Sequence, residues 1–199
     1  MPVLHGERLP RVALSLAGRH NMFNAMFALG LAAVAGADLE GACRGISEFS
    51  GVRRRFELHE GPAGGVLVND YAHHPAEIEA VLRTARRRFP EQRIVVAFQP
   101  HQYQRTLLLL DEFAAALALA DVTLVTEIYG AREDEEIMAS VSAGDLVNAV
   151  RERGGDAHFG GPVAELAASV TGRHRPGDVV LVLGAGNIDS AVGGIVGGI

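Results

Sequence analysis

The sequence predicts an α/β protein whose larger part is a doubly wound, mostly parallel sheet. From residue 52 onward, apolar strand-like runs alternate with helical stretches, which is the pattern of successive β-α-β units. The later runs, such as Val179–Leu183, are apolar at every position, as expected for strands that helices cover on both faces. Because β-α-β crossovers are right-handed, this alternation places helices on both sides of one sheet.

Residues 1–51 have a different character and are predicted to be mainly helical. We expect a short strand at Val12–Leu16, an alanine-rich helix at Asn21–Ala35 and a second helix from Asp38 to about Phe49. Asp38 is a suitable N-cap, because its carboxylate can accept hydrogen bonds from the free N–H groups of the first turn. At Gly51 the pattern ends and three arginines follow, so we place a domain boundary between residues 51 and 52.

Residues 52–199 are predicted to alternate strand and helix throughout. The predicted strands are Phe56–Glu60, Val66–Asn69, Ile94–Phe98, Val122–Thr126, Asp156–Phe159 and Val179–Leu183. The predicted helices are Pro75–Arg88, Thr106–Ala120, Ala143–Gly154, Pro162–Thr171 and Ile188–Val196. Gly64 and Gly65 lie in a short connection that suits a hairpin, so the first two strands are expected to be antiparallel.

The composition argues against several classes of function. The net charge of −6 is the opposite of the basic surplus typical of nucleic-acid-binding proteins, so no nucleic-acid partner is expected. All 18 basic residues are arginine, which excludes a GxxxxGK[ST] phosphate loop and a lysine Schiff base within the chain. No apolar run has the length of a membrane span, and Met1–Arg11 lacks a signal-peptide core, so no membrane partner is expected. The single cysteine, Cys43, is expected to be a buried apolar residue in a reducing, cytoplasmic environment.

Polar side chains follow four of the predicted strands at the point where each strand ends. These segments are Asn69–Pro75, Gln99–Arg105, Glu127–Glu133 and Gly184–Asn187. In an open parallel sheet, ligands bind just outside the carboxyl ends of the strands, so we expect these loops to form one site. Their His, Tyr and Arg side chains can bind phosphate or carboxylate, which predicts an anionic ligand. Taken singly, each residue is better explained by packing, by helix capping, or by an ion pair of Arg105 with Asp111 or Glu112, and it is the four loops together that favour a site.

Two motifs at this edge have an alternative interpretation. His73, His74 and His101 lack the Cys or HxxxH spacing of a closed zinc site, so no metal ligands are predicted. Gly184–Gly186 is similar to the start of a dinucleotide fingerprint, but the third glycine is missing. A tight turn that presents N–H groups at a helix N-terminus is therefore favoured over NAD binding.

Two groups of polar residues lie outside these loops. Asn21 and Asn24 share one face of the first long helix, where side-chain amides can recognise the edge of a purine. The alternative is that Asn21 only caps this helix. Arg53–Arg55 would by default be a solvated turn, but beside a domain boundary and a cleft one of these arginines can reach a phosphate.

Six segments carry a resemblance to the Mur ligases, in which they occur in the same order. They are GRHNMFNA, GVRRRFE, NDYAHHP, FQPHQYQRT, EIYGAREDE and LGAGNI. The chain resembles this family over nearly its whole length, and DYAHHP with FQPHQYQRT is specific to the branch that joins L-alanine to UDP-N-acetylmuramate. The resemblance covers only the later part of such an enzyme. It implies that residues 1–51 are the tail of the central ATP-binding domain and that residues 52–199 are the C-terminal, Rossmann-like domain.

The resemblance also implies a reaction. ATP, with Mg²⁺, phosphorylates the muramoyl carboxylate of UDP-N-acetylmuramate, and L-alanine attacks the resulting acyl phosphate. The UDP-sugar domain, the phosphate loop and most Mg²⁺ ligands of such an enzyme belong to parts that this sequence does not include. We therefore expect the chain to need those N-terminal and central domains as partners and to be inactive alone.

Eight residues match positions with a role in the family. The resemblance places His20, Asn21 and Asn24 on the adenine side and Arg55 at the nucleotide ribose or phosphates. It places Asp70 at the ribose, and Tyr71, His73 and Arg105 at the muramoyl carboxylate and the incoming alanine as positioning residues.

The sequence also departs from the family pattern at three places. They are Gln102, where many relatives have arginine, Glu136–Met138 in place of a proline-containing turn, and Asn187 in place of an acid. The alternative hypothesis is a non-catalytic, Rossmann-like module that binds a nucleotide or a partner.

Overall fold

The structure is a computed structural model that describes residues 3–4, 7–8, 11–14, 19–130 and 133–197, and the side chains of residues 11–14, 21–130 and 133–197. The chain divides into two compact units, Met1–Val52 and Arg53–Ile199. The first unit is mainly helical, and the second contains the large sheet.

The first unit is built on two helices. Helix α1 spans Arg19–Val34 and helix α2 spans Leu39–Glu48, and they follow a two-stranded antiparallel pair, β1 (Val3–Leu4) and β2 (Glu7–Arg8).

The N-cap of α2 and its buried cysteine agree with the prediction from the sequence. Asp38 is its N-cap, as predicted, and its carboxylate accepts hydrogen bonds from the N–H groups of Glu40 (3.1 Å) and Gly41 (2.9 Å). Cys43 is buried against Leu29 of α1, which confirms its predicted role as a small apolar core residue.

The strand predicted at Val12–Leu16 is wrong for its described part. Residues 11–14 have no regular secondary structure, and residues 15 and 16 lie outside the described residues. A strand needs a ladder partner for its backbone groups, whereas the N–H of Ala13 donates to the side-chain hydroxyl of Ser47 (3.3 Å).

Among the described residues, the sheet of the second unit has six strands in the order β3-β4-β8-β5-β6-β7. The strands are β3 (Glu57–Glu60), β4 (Val66–Asp70), β5 (Ile94–Phe98), β6 (Val122–Thr126), β7 (Ala157–Gly161) and β8 (Val179–Leu183). As predicted, β3 and β4 form an antiparallel hairpin, and the other neighbouring pairs are parallel. The last strand in the sequence therefore lies in the middle of the sheet, between β4 and β5.

The helices of this unit are shorter or more divided than predicted, except for α3. They are α3 (Pro75–Arg88), α4 (Tyr103–Leu108), α5 (Leu110–Leu117), α6 (Glu135–Met138), α7 (Ala143–Glu152), α8 (Leu166–Thr171) and α9 (Val192–Gly197). Short 3₁₀ turns at Val163–Glu165 and Ile188–Ala191 begin the segments predicted as the last two helices. The predicted helix Thr106–Ala120 is two helices, because the backbone leaves the helical region at Leu109 (φ −116°, ψ 24°).

Each face of the sheet has its own apolar core, because successive strand residues point to opposite faces. Val96 and Phe98 of β5 belong to the core that includes α3, α5 and α7. Val95 and Ala97 of the same strand belong to the core that includes α8 and α9. This arrangement confirms the predicted doubly wound α/β fold. Within the described part of the chain, every helix is too short or too polar to cross a membrane.

Leu181 offers a test of the central position of β8, since its side chain is completely buried in the core shared with α3. We expect Leu181→Ala to lower the free energy of unfolding by about 2–5 kcal/mol through lost burial and the cavity that remains. Leu58→Ala, at an exposed position of β3, is the matched control and should cost less than about 1 kcal/mol. Urea unfolding followed by circular dichroism measures both, and equal effects would contradict the assigned burial.

Candidate functional site

The carboxyl ends of four parallel strands lie side by side at one edge of the second unit. Asp70 of β4 is level with Leu183 of β8, which is level with Phe98 of β5. The loops that follow are joined by backbone hydrogen bonds, from Gly184 N–H to Asp70 O (3.2 Å), from Gln99 N–H to Leu183 O (3.0 Å) and from Gln102 N–H to Tyr129 O (2.9 Å). The structure thus brings together the four polar segments that the sequence singled out.

Asp70 is a buried carboxylate bonded to the backbone on both sides. Its Oδ2 accepts from the N–H of Phe56 (2.7 Å), and its Oδ1 accepts from the N–H of Ala72 (2.8 Å). Burial raises the pKa of Asp70, although these two hydrogen bonds and the charge of Arg55 act in the opposite direction. The side chain holds the loop after β4 against the segment before β3, and a ribose hydroxyl would share oxygens that already accept hydrogen bonds.

Glu77 and the two histidines form the start of α3. The Glu77 carboxylate accepts from the N–H groups of His73 (3.0 Å) and His74 (3.2 Å), while the ring of His74 accepts from Ala76 N–H (3.4 Å). His74 is therefore a helix cap. Burial raises the pKa of Glu77, but the hydrogen bonds from His73 and His74 and the nearby positive charges outweigh it, so the pKa is lowered.

His73 has a defined orientation. Its Nδ1 lies 3.0 Å from the carbonyl oxygen of Tyr71. A carbonyl can only accept, so Nδ1 carries the proton, and in the neutral ring Nε2 is left as an acceptor. This makes His73 suited to hold an N–H or O–H group of a ligand.

A row of side chains connects three of the loops. The Arg54 guanidinium lies over the Tyr71 ring (4.7 Å), and the Tyr71 and His73 rings meet edge to face (5.4 Å between centroids). His73 contacts His101 (6.2 Å), which stacks on Tyr129 (5.4 Å, 19° between planes). Contacts between rings and between a guanidinium and a ring add to the packing of this edge.

His101 and Arg105 have buried polar atoms without a hydrogen-bond partner among the described residues. These atoms are Nδ1 of His101 and Nη1 of Arg105. Burial, together with the nearby charges of Arg105 and His73, lowers the pKa of His101, and the Glu133 carboxylate opposes this only in part. Because buried polar groups are normally paired, these two atoms mark places where a ligand can bind.

Arg105 does not form the alternative ion pair suggested by the sequence with Asp111. That carboxylate binds Arg153 instead (3.1 Å), on the side of α5 that faces the end of α7.

Sequence reasoning missed the role of Glu133, which determines where α4 begins. Its carboxylate accepts from the N–H groups of Tyr103 (2.7 Å) and Gln104 (2.9 Å). It caps the helix from a distance of thirty residues in the sequence, so α4 begins at Tyr103 rather than at Thr106 as predicted. Gln102, just before it, has a positive φ of 73°, a strained conformation for a residue with a side chain.

Gln99 fixes the Gly184–Asn187 loop. Its side chain is buried, donates to Asn187 Oδ1 (2.9 Å) and accepts from Ile188 N–H (3.1 Å). A Cβ on Gly186 would lie 2.4 Å from Gln99 Oε1 and 2.9 Å from the Tyr129 ring, so this position requires glycine. As interpreted from the sequence, the segment is a tight turn, and here the turn allows the close approach of Gln99.

Three carboxylates at this edge share one role. Asp70, Glu77 and Glu133 each accept two backbone N–H groups. By contrast, among the described residues of these loops, Nδ1 of His101 and Nη1 of Arg105 have no hydrogen-bond partner. Among the described residues, no group of three or more His, Cys, Asp or Glu side chains could hold a metal ion.

The predicted adenine-side residues belong to the first unit. Asn21 and Asn24 line a cleft of about 460 Å³ together with apolar residues of α1 and α2. The interpretation of Asn21 as a helix cap is wrong, because α1 begins at Arg19 and Asn21 lies inside it. The side chain of His20 lies outside the described residues.

The chain belongs to the Mur ligase family. Residues 54–186 match the family described as Mur ligase, glutamate ligase domain, which is the part of the chain that contains the sheet and its carboxyl edge. Within the family, the chain is similar to UDP-N-acetylmuramate–L-alanine ligases. It is 43% identical over 195 residues to the ligase of Halorhodospira halophila and 42% identical over 196 residues to that of Laribacter hongkongensis.

The chain is also similar in structure to a solved ligase of this type. The chain matches the crystal structure of the UDP-N-acetylmuramate–alanine ligase MurC from Thermotoga maritima with a TM-score of 0.68 and 32% identity, over 95% of this chain and 40% of that one. The Halorhodospira match covers 94% of this chain and 39% of the relative, and the Laribacter match 96% and 41%. The chain thus spans about two fifths of the length of the relatives it matches.

The lowered pKa of His101 predicts how the stability of the protein depends on pH. In the unfolded chain His101 takes up a proton as the pH falls through about 6.5, whereas the folded protein resists protonation, so stability is full above this pH and is lost as the pH falls toward the folded pKa. We expect His101→Phe, which keeps a ring on Tyr129 but cannot titrate, to lose less stability between pH 7 and pH 5.5. Urea unfolding at each pH measures this, and identical pH profiles for the two proteins would contradict the assignment.

Proposed function

We propose that this chain is the C-terminal part of an ATP-dependent ligase that joins L-alanine to UDP-N-acetylmuramate in peptidoglycan synthesis. The observation that carries the proposal is the meeting of the DYAHHP and FQPHQYQRT segments at one sheet edge rich in arginine and imidazole. The identity of 42–43% with ligases of this name over nearly the whole chain supports it.

In the proposed reaction, a carboxylate oxygen of the muramoyl group attacks the terminal phosphorus of ATP and ADP leaves. The amine nitrogen of L-alanine then attacks the carbonyl carbon of the acyl phosphate. The C–N bond forms, the C–O bond to phosphate breaks, and the nitrogen loses a proton. Negative charge accumulates on the phosphoryl and carbonyl oxygens in both steps, so positively charged groups and aligned donors lower the barrier.

We assign the substrate side of this site to Tyr71, His73 and Arg105 as positioning residues. The unpaired Nη1 of Arg105 is a donor for a carboxylate or phosphate oxygen. When its ring is neutral, His73 offers Nε2 as an acceptor for the alanine ammonium or amine. Tyr71 lies between His73 and Arg54 and sets the position of both.

In the second unit, we assign Arg55 and Asp70 to nucleotide binding. For the first unit, we assign recognition of adenine to His20, Asn21 and Asn24, as the resemblance implies. Arg55 is exposed, and its charge acts on the nearby carboxylates of Asp70 and Glu77. An exposed guanidinium held beside a ribose-binding carboxylate is suited to nucleotide phosphates. As the resemblance implies, Mg²⁺ would be held mainly by side chains of the domains that precede this chain, and it would neutralise phosphate charge.

The apolar surface of α1 supports the view that residues 1–51 are the tail of a larger ATP-binding domain. Phe27, Leu31 and Val34 are 71%, 70% and 89% exposed, although α1 contains no charged residue after Arg19. A helix that is apolar around its circumference is normally buried. We propose that the preceding part of the ligase covers it, since the relatives are much longer than this chain. An enzyme that consumes ATP and a nucleotide-linked precursor would act in the cytoplasm.

A chimera tests the proposed function. The part of the Halorhodospira halophila ligase that this chain does not cover is joined to the N-terminus of the chain. We expect phosphate release from UDP-N-acetylmuramate, L-alanine, ATP and Mg²⁺ by the chimera and none by the chain alone, because the phosphate-binding loop must come from the added part.

The intact Halorhodospira ligase is the positive control, and omission of L-alanine controls for simple ATP hydrolysis. A folded chimera without turnover would support the non-catalytic module instead. Turnover by the chain alone would contradict its dependence on the missing domains.

Arg105→Ala tests the substrate side in the same chimera. We expect the rate of amide formation to fall by about 10²–10³-fold, as when one donor to a developing oxyanion is removed. Arg83→Ala is the control, because Arg83 pairs with Glu79 (2.7 Å) on the exposed surface of α3. A similar rate for both variants would contradict the role given to Arg105.

A further inference from the structure

Arg54 and Arg55 are neighbours in the sequence but have different surroundings. Arg55 is exposed, whereas the side chain of Arg54 is only 17% exposed. The backbone of Arg54 has φ 59°, a left-handed conformation that costs energy for a residue with a Cβ. Its N–H donates to Glu57 Oε2 (2.9 Å), and its carbonyl accepts from Tyr71 N–H (2.8 Å), so both backbone groups are fixed.

The guanidinium of Arg54 binds the loop after β8. Its Nη2 donates to the carbonyl oxygens of Gly184 and Gly186, and its Nη1 lies 3.6 Å from Asp189 Oδ1. One face of the group lies on the Tyr71 ring. The remaining donor, Nε, is buried and has no partner among the described residues. The Nη1 and Nη2 donors of Arg54 are thus directed toward the loop after β8 and not toward a phosphate.

We propose that Arg54 is a positioning residue of the ligase that holds the loop after β4 against the loop after β8, and so fixes Arg55 and Asp70 for the nucleotide. The proposal rests on the function proposed above. Asp70 Oδ2 binds the N–H of Phe56, two residues after Arg54. Arg55 therefore lies between two residues whose backbone groups are hydrogen-bonded, so the position of its own backbone is fixed.

Arg93 provides a matched control. It binds the residue before β8, whereas Arg54 binds the loop after β8. Its Nη1 donates to Asp178 Oδ2 (3.1 Å) and to the carbonyl oxygen of Arg173 (3.2 Å), and its side chain is 23% exposed. Asp178 directly precedes β8, whereas Gly184 directly follows it. Both arginines thus bind an acid and a carbonyl beside β8, but only Arg54 does so at the edge that carries the site.

The first experiment measures hydrogen exchange in the 199-residue chain. We expect Arg54→Gln to accelerate exchange of the Tyr71 and Gly184 amides by about tenfold or more, because the bonds from the guanidinium to the Gly184 and Gly186 carbonyls, which hold the two loops together, are lost. Arg93→Gln should leave these two amides unchanged. Equal rates in Arg54→Gln and the parent chain would overturn the proposal, whatever the activity of the chimera.

The second experiment measures kinetics in the chimera. Arg54→Gln should raise the KM for ATP by about tenfold with a smaller change in kcat, since the displaced residues act mainly on nucleotide binding. Arg93→Gln should not change this KM. Arg54→Lys should fail to restore it, because an ammonium has the charge but not the planar set of donors. If lysine restores the KM fully, the charge acts on the nucleotide directly and the proposal is wrong.

The two experiments separate the two proposals. If the unsubstituted chimera has no turnover, the proposed function fails, while hydrogen exchange still decides whether Arg54 holds the two loops together.

Discussion

The central position of β8 is the constraint on which the rest of the second unit depends. This strand is the last in the sequence, yet it supplies the hydrogen-bond partners of both β4 and β5. Without it, the DYAHHP and FQPHQYQRT loops would follow strands that do not touch. Its side chains are buried in both cores, so one short apolar run joins the two faces of the sheet and aligns its carboxyl edge.

The electrostatic character of this edge depends on which side chains accept hydrogen bonds from its backbone N–H groups. Loops that leave a sheet expose N–H groups that need acceptors, and three carboxylates supply them. The carboxylates of Asp70, Glu77 and Glu133 therefore bind the protein's own backbone. Arg55 is exposed, and Nη1 of Arg105 and Nδ1 of His101 have no partner among the described residues, an arrangement that suits the proposed substrate with its phosphates and carboxylate.

Local features of the chain were predictable from the sequence, and non-local ones were not. The strands at 94–98, 122–126 and 179–183 agree with prediction to the residue, because continuous apolar runs are buried on both faces. Helix α3 agrees as well, since His74 and Pro75 mark its start locally. The start of α4 was missed because its cap, Glu133, is distant in sequence. The insertion of β8 between β4 and β5 likewise has no local signal.

The same distinction applies to the site. The strand-end rule was enough to group the four loops, since it depends only on strand direction. It did not separate Arg54 from Arg55, because the difference lies in backbone φ and in carbonyl acceptors 130 residues away. The roles of the eight predicted site residues remain proposals. At the end of β4, Asp70 binds the N–H groups of Phe56 and Ala72, and in the loop that follows, the ring of His73 lies against the Tyr71 carbonyl.

The late position of β8 in the sequence also has a consequence during protein synthesis. At about 5–20 residues per second, the ribosome needs on the order of ten seconds to extend the chain from Asp70 to Leu183. During that time the edges of β4 and β5 that pair with β8 have no partner strand, and the loops after these strands are not yet joined. A nascent chain would therefore complete the carboxyl edge of this sheet only as translation of β8 finishes.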